Sequence, residues 1–332
     1  MKAIIQHENG GPEVLILGEA LDPKPGPGEL RIRVAATALN RADLLQRRGL
    51  YPPPEGASKL LGLEVAGVVD SLGPETKNSG FKPGDRVCAL LAGGGYAEYV
   101  CVNAGLVMPI PKGMPFAEAA AIPEAWLTAW QTLTQVGNVK AGEKVLVHAG
   151  ASGVGLAAIQ LARELGCTVY ATASGAKLDI CRKAGATEAF DYRADDFLNP
   201  LMEATDNQGV DLILEFVGAP YIESDLKALR TDGRIVLIGL MGGRTLEKPL
   251  DLGMILHKRI SIIGTTLRAR SLDYKKSLIS SFWGFAEERL KDNRLDPVIH
   301  AIYPWEQVQQ AHQLMERNQN TGKIVLALPF KS

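Results

Sequence analysis

From Lys144 to Gly264 the chain alternates short apolar runs with helical stretches, and this alternation restricts its fold more than any other feature. Lys144–His148, Thr168–Thr172, Asp211–Glu215 and Arg234–Gly239 read as strands, and Ile260–Gly264 as another. Val154–Leu165 and Lys177–Ala184 read as helices, stopped by Gly166 and Gly185. A crossover helix returns the chain to the same end of the sheet, so such strands pair in parallel. Their nearly unbroken Val, Ile and Leu content suits strands covered on both faces. The expectation is an α/β fold with a doubly wound parallel sheet.

The segments on either side have a different character. Leu30–Ala36, Glu64–Asp70, Arg86–Leu90 and Tyr96–Val102 read as short strands, separated by turns such as Gly93-Gly94-Gly95. Lys82-Pro83-Gly84-Asp85 has type II turn chemistry, with Pro presetting one φ and Gly taking the positive one. These elements predict a β-rich, barrel-like or sandwich-like unit. Glu124–Val136 has helical spacing, as do Leu272–Leu290 and Trp305–Asn318, and Gly322–Leu328 closes as a strand. A last strand that belongs with the first unit makes that domain discontinuous.

Composition removes several classes of function. Hydrophobic residues make up 46% and charged residues 22% of 332, which excludes wholesale disorder. Lys plus Arg number 36 against 37 Asp plus Glu, so there is no basic excess with which to grip nucleic acid. Cys88, Cys101, Cys167 and Cys181 lack CxxC spacing and read as small hydrophobes of a reducing compartment. The longest uncharged run, Val145–Ala162, carries three glycines, which suits a turn between two elements better than a membrane span. The opening residues, Met1-Lys2-Ala3-Ile4-Ile5-Gln6-His7-Glu8, do not form a signal peptide. The expected setting is cytoplasmic.

His148-Ala149-Gly150-Ala151-Ser152-Gly153-Val154-Gly155 stands at a strand-to-helix junction. Glycines there allow a tight turn and let a phosphate approach the helix N-terminus, where free N–H groups and the macrodipole favour negative charge. The spacing departs from GxGxxG, but its place between a strand and an amphipathic helix points to a dinucleotide. Gly150, Ser152, Gly153, Val154 and Gly155 are therefore cofactor-binding candidates. The next strand ends Ala173-Ser174-Gly175-Ala176-Lys177, with no carboxylate for ribose hydroxyls. Ser174 and Lys177 suit a 2′-phosphate, so the expected cofactor is NADPH. Leu240 and Met241 follow a later parallel strand, on the side where such sheets bind ligands.

Several separated segments, in this order, resemble one family: Ala36-Thr37-Ala38-Leu39-Asn40-Arg41-Ala42-Asp43, Gly62-Leu63-Glu64-Val65-Ala66-Gly67, Lys82–Asp85, Ala120-Ala121-Ile122-Pro123, His148–Gly155 and Gly322-Lys323. Over essentially its whole length the chain resembles the zinc-independent quinone oxidoreductases of the medium-chain dehydrogenase/reductase superfamily, particularly their p53-inducible group. The resemblance implies a GroES-like catalytic domain from residues 1–124 and 267–332 around a Rossmann domain from 125–266, with a cleft between them. It also implies a homodimer, usually built by extending the sheet through the edge strand near Ile260–Thr266. Asn40 and Gly62-Leu63-Glu64 stand where zinc-dependent relatives carry a Cys ligand and Gly-His-Glu. Leucine cannot coordinate a metal, and an amide is a poor zinc ligand, so no metal is expected.

Without a Lewis acid, the suited acceptor is already electrophilic, such as a quinone or an α,β-unsaturated carbonyl. The resemblance places Tyr51, held by Pro52-Pro53-Pro54, at the reacting end, as a donor to a carbonyl oxygen or an aligner of the nicotinamide. Asn40 is the second catalytic candidate, against its reading as a turn residue. Thr128, Thr265, Leu267 and Asn320 are carried over as nicotinamide-side contacts, and Tyr192 as a neighbour of the adenosine ribose phosphate. His148 reads as a satisfied core histidine, and Glu64 as a buried, hydrogen-bonded carboxylate. The expected activity is NADPH-dependent quinone reduction by direct hydride transfer, without flavin. A 2-alkenal or enoyl reductase and a non-catalytic NADPH-binding protein are the alternatives.

Overall fold

The structure, a computed structural model, describes residues 1–194 and 196–330. Its backbone forms two compact units, one from Met1–Leu127 together with the chain from Leu267 onward, the other from Thr128–Thr266.

In the first unit β1 (Lys2–Ile5) pairs antiparallel with β2 (Ile16–Glu19). The ten-residue β3 (Glu29–Ala38) organises the larger sheet. Along its length it pairs antiparallel with β4 (Glu64–Leu72), which continues to β5 (Arg86–Leu90). Its N-terminal half also pairs with β6 (Tyr99–Asn103), and β7 (Val107–Pro109) pairs with β5. Leu30, Ile32 and Val34 alternate inward and pack with Val65, Val69 and Val87 in one core.

Among the described residues, the second unit holds six strands, β8 (Lys144–Val147), β9 (Thr168–Ala173), β10 (Glu188–Asp191), β11 (Val210–Glu215), β12 (Leu229–Leu237) and β13 (Ser261–Gly264). Their spatial order is β10-β9-β8-β11-β12-β13, and every pairing is parallel. This is the doubly wound Rossmann order, with its topological switch between β8 and β11. All six residues of β11 are buried, as a strand covered on both faces requires. The chain then returns to the first unit, where β14 (Ile299–Pro304) lies parallel to β15 (Lys323–Ala327). β15 pairs antiparallel with the C-terminal half of β3. Fold class and discontinuity thus follow the sequence pattern. Among the described residues, no helix is long and apolar enough to cross a membrane.

The Lys82–Asp85 turn forms as its residues dictate: Gly84 has φ +93°, and Asp85 N–H donates to Lys82 O at 3.1 Å. Other elements depart from the local pattern. The stretch expected as one helix from Glu124 to Val136 is α-helical over Pro123–Trp130 and π-helical over Gln131–Val136. There Thr132 and Thr134 hydroxyls donate to the carbonyls of Ala129 and Trp130, and Gly137 N–H reaches Thr132 O. Side-chain competition for carbonyls loosens the regular ladder at that point. Pairing of β6 begins only at Tyr99, because Tyr96 turns inward, fully buried, while its carbonyl accepts from Ile4 N–H. β12 begins five residues before the apolar run, with a register shift around Asp232, whose φ is +64°.

Candidate functional site

In the second unit, the carboxyl end of β8 leads directly into the glycine turn. His148 N–H donates to Leu214 O of β11 at 3.1 Å, and Gly150 N–H donates to Thr172 O of β9 at 2.8 Å. The turn is therefore pinned to both neighbouring strands. Gly150 has no room for a side chain, since a Cβ would lie 2.9 Å from Ala171 Cβ and 3.2 Å from Cys181 Sγ. A Cβ on Gly155 would press on the carbonyls of Ala149 and Gly150. These contacts let the helix Gly153–Glu164 start hard against the turn. Ser152 caps it, its Oγ accepting from Gly155 N–H at 3.0 Å, which leaves the hydroxyl proton to donate elsewhere. Gly153 and Val154 open the first turn of this twelve-residue helix, at its electropositive end.

The neighbouring strand ends supply polar and basic groups. Ser174 precedes a short 3₁₀ turn in which Lys177 N–H donates to Ser174 O at 2.7 Å. Ala173 of β9 pairs with Asp191 of β10, so Tyr192 emerges beside this turn. Tyr192 is exposed, and the Arg193 guanidinium lies 5.7 Å from its ring centroid. Arg193 is a basic group that the sequence pattern did not single out, because nothing in it places the end of β10 beside that of β9. Leu240 and Met241, beyond β12, are half exposed. Thr265, just past β13, accepts from Gln131 Nε2 at 2.9 Å. Thr128 is buried one turn before Gln131 on the preceding helix. The candidates from Gly150 to Thr265 in this unit thus follow the carboxyl ends of its parallel strands, where such sheets bind ligands.

In the first unit, Asn40 follows β3 and caps the helix Arg41–Arg47. Its amide is fully engaged: Nδ2 donates to Glu64 Oε1 at 2.9 Å and Oδ1 accepts from Lys323 Nζ at 2.6 Å. Lys323 Nζ also donates to Leu39 O at 2.8 Å and to Glu64 Oε1 at 2.6 Å. Glu64, with no exposed surface, accepts through Oε2 from the backbone N–H of Glu124 at 2.8 Å. Asp43 completes the cluster, accepting from Asn40 N–H at 2.8 Å and Gly62 N–H at 2.9 Å. Burial raises its carboxyl to about 6. The half-buried Glu124 is raised further, to about 8, first by burial and then by the Glu64 carboxylate.

Tyr51 is half-buried, with the Arg268 guanidinium 5.3 Å from its ring centroid. Arg268 is anchored by donating to Gln46 Oε1 and Ala92 O, each at 2.6 Å, and its own carbonyl accepts from Lys275 Nζ at 2.6 Å. Burial raises the Tyr51 phenol, and the Glu124 carboxylate adds to the effect. Leu267 is buried next to Arg268 in sequence, and Asn320 Nδ2 donates at 2.8 Å to the carbonyl of Gly322, the residue just before β15. Glu124, Arg268 and Lys275 were not picked out from sequence. Glu124 and Lys275 look like ordinary polar positions on helices, and only burial marks them.

The donors around Asn40 and Glu64 do not suit a zinc ion. One carboxylate, already bonded by an ammonium group, and one committed amide leave no ligand set for zinc, and Leu63 contributes none. A dinucleotide does suit the second unit. Gly150 and Gly155 are packed to the limit of a Cβ, the capped helix start is electropositive, and Ala173 and Ser174 stand where an acid would repel a 2′-phosphate.

Comparison with known proteins agrees with this architecture. Residues 26–112 match the family described as "Alcohol dehydrogenase GroES-like domain", and residues 153–283 match "Zinc-binding dehydrogenase". The human quinone oxidoreductase is 34% identical over 335 residues, covering 99% of this chain and 98% of its own. Among solved structures, an NAD-dependent alcohol dehydrogenase is 33% identical with TM-score 0.87, covering 98% of this chain and 99% of that one. The Escherichia coli quinone oxidoreductase complexed with NADPH has TM-score 0.87 at 28% identity, covering 98% of this chain and all of that one. The CurK enoyl reductase has the same TM-score and identity, with 99% of each chain covered. On full-length similarity, matched domains and fold together, this chain belongs to the quinone oxidoreductase family of the medium-chain dehydrogenase/reductase superfamily.

Proposed function

We propose that the chain is an NADPH-dependent quinone reductase of the cytoplasm that delivers hydride directly to a quinone, without metal or flavin. The observation that carries this reading is the bond from Lys323 to Glu64. Where zinc-dependent relatives hold a metal, this protein holds its own ammonium group, so its acceptor must be electrophilic unaided. Quinones meet that condition, because negative charge arriving with the hydride delocalises onto oxygen.

NADPH, when bound, supplies the hydride. The glycine turn and the capped helix start hold the pyrophosphate, Ser174 and Lys177 the 2′-phosphate, and Tyr192 with Arg193 flanks that end. Tyr51 donates a hydrogen bond to the quinone oxygen. Glu124, kept protonated at neutral pH by burial, gives that oxygen its proton, so a quinone gains one hydride and one proton to become a hydroquinone. The Asn40–Glu64–Lys323 network keeps the Glu124 backbone fixed. β13 ends the second unit's sheet with Ile262 40% exposed, and we assign this edge to a homodimer contact. Ile262→Lys is then expected to sediment as a monomer, and a variant that sediments like the parent removes that assignment.

Similarity to an enoyl reductase favours one second reading, reduction of a 2-alkenal or enoyl substrate by the same hydride chemistry. Oxidation of NADPH, in parallel with NADH, is to be followed with 1,2- and 1,4-quinones and with an enal series. Turnover of quinones with NADPH preferred supports the proposal. Turnover of enals alone replaces it with the second reading, and nucleotide binding without turnover on either series identifies a non-catalytic NADPH-binding protein.

A further inference from the structure

The switch point of the second unit contains a buried cluster that the proposed chemistry does not use. His148 from the end of β8, Glu215 from the end of β11 and Asp225 from the helix Ile222–Ala228 have no exposed side-chain surface. Their ligand atoms lie within 4.8 Å of one another. His148 Nδ1 is 2.8 Å from Thr172 Oγ1 on β9, and Nε2 is 2.9 Å from Asp225 Oδ1. Glu215 Oε1 accepts from the backbone N–H groups of Val217 and Gly218. The rings of Phe197 and Tyr221 stand edge-on to the imidazole, each 4.9 Å away between centroids, and seal the cluster.

Two oxygens do not balance in this arrangement. Glu215 Oε2 and Asp225 Oδ2 are both buried, and neither has a hydrogen-bond partner when both groups are ionised. Two such orphan acceptors are costly in a dry interior. One proton removes the conflict by turning a pair of acceptors into a donor and an acceptor.

We infer that Glu215 and Asp225 share one proton in the native protein, and that this proton, with His148, ties the glycine turn after β8 to the loop after β11 and so maintains coenzyme affinity. The microscopic arrangement follows from the partners. Thr172 donates its hydroxyl proton to Nδ1, Nε2–H donates to Asp225 Oδ1, and Glu215 carries the shared proton toward Asp225 Oδ2. Burial raises both carboxyls, and their mutual hydrogen bond raises Glu215 and lowers Asp225, which sets the direction. Burial also lowers His148, so the imidazole is neutral. The titratable groups facing the pair are His148 on β8 and Tyr221 before the Asp225 helix, with the exposed Tyr192 influencing Tyr221. Loss of the proton sets two carboxylates against each other in a sealed site. Glu215 can then relax only by releasing the Val217 and Gly218 N–H groups, and His148 only by disturbing the start of the nucleotide turn. Glu215, Asp225 and His148 are thus positioning residues for the coenzyme. This inference rests on the proposed NADPH site for its binding arm alone.

The test compares the parent chain with Glu215→Gln and Asp225→Asn. Glutamine at 215 keeps an acceptor for the two N–H groups and a permanent donor toward Asp225. Melting temperature is measured without coenzyme from pH 5 to 9.5, and the NADPH dissociation constant from pH 7 to 9.5. With pKa values raised on folding, the native pair binds protons that the unfolded chain has released, so parental stability relative to E215Q falls from about pH 5 to about 8 and levels above it. The parental dissociation constant is expected to rise severalfold above about pH 8, while that of E215Q changes less than twofold. D225N is expected to lose the affinity dependence as E215Q does, because the new amide donates to an ionised Glu215 and no second carboxylate opposes it; a D225N affinity profile parallel to the parent's would overturn the shared proton. Parallel stability profiles for the parent and E215Q would overturn the shared proton. A difference in stability with parallel affinity profiles would overturn the coupling to coenzyme. Stabilisation of the parent by an added divalent metal, reversed by a chelator, would overturn it in favour of a metal site. Absence of NADPH binding at every pH refutes the coenzyme reading and the coupling together, leaving the stability comparison to decide the proton.

Discussion

Lys323 Nζ and Glu64 Oε1 meet at 2.6 Å in a pocket where Glu64 has no exposed surface and Lys323 almost none. All three ammonium protons are placed, on Glu64, Asn40 and the Leu39 carbonyl. The pair joins β15 to β4 across β3, so it binds the two ends of the discontinuous unit.

Removing one partner strands the other. Lys323→Met is expected to destabilise the protein by about 3–5 kcal/mol, the usual cost of an uncompensated buried charge. Lys323→Met with Glu64→Gln recovers part of that loss, because no buried charge is then left unpaired and the amide oxygen still accepts from the Glu124 N–H. Chemical denaturation of the four proteins in the cycle measures this, and additive losses would show that the pair is not coupled.

Glu124 governs the pH dependence of turnover in the proposed mechanism. A proton donor works only while protonated, so kcat/KM for a quinone is expected to fall as pH rises through about 8. Glu124→Gln lowers kcat about a hundredfold and removes that transition. Tyr51→Phe lowers kcat/KM up to about tenfold, the worth of one neutral hydrogen bond, with the pH profile retained. An E124Q profile that still falls near pH 8 would assign the transition to another group.

Lys177→Ala separates the two coenzymes. Loss of one charge-assisted contact to a 2′-phosphate costs about 1.5–3 kcal/mol, which is about a 10- to 100-fold rise in KM for NADPH. KM for NADH is expected to change less than twofold. Equal weakening of both would place Lys177 away from the phosphate.

Gly155→Ala tests the packing of the turn. The added Cβ would lie 2.7 Å from Gly150 O and closer still to Ala149 O, both rigid backbone atoms. Overpacking of this kind is expected to cost about 1–3 kcal/mol and to weaken NADPH binding at least tenfold. Calorimetry and fluorescence titration report the two effects separately, and an unchanged protein would show that the turn can yield.

Local sequence determined a good deal of this protein. The buried strands of the second unit, the capped helix after Ser152 and the type II turn at Lys82–Asp85 each follow from residues within a few positions of one another, because periodicity and backbone φ are short-range constraints. The absence of an acid after β9 was likewise visible as soon as the strand was. Tertiary structure alone decided the partners. Lys323 and Glu64 are 259 positions apart, Arg268 and Tyr51 are 217, and Asp225 and His148 are 77. Pairing of β15 with β3 and of β8 with β11 brings the first and the last of these pairs together, and burial then fixes which charges must be neutralised. A carboxylate's burial depends on every element packed around it, and for that reason Glu124 and Glu215 look like ordinary polar residues until the chain is folded.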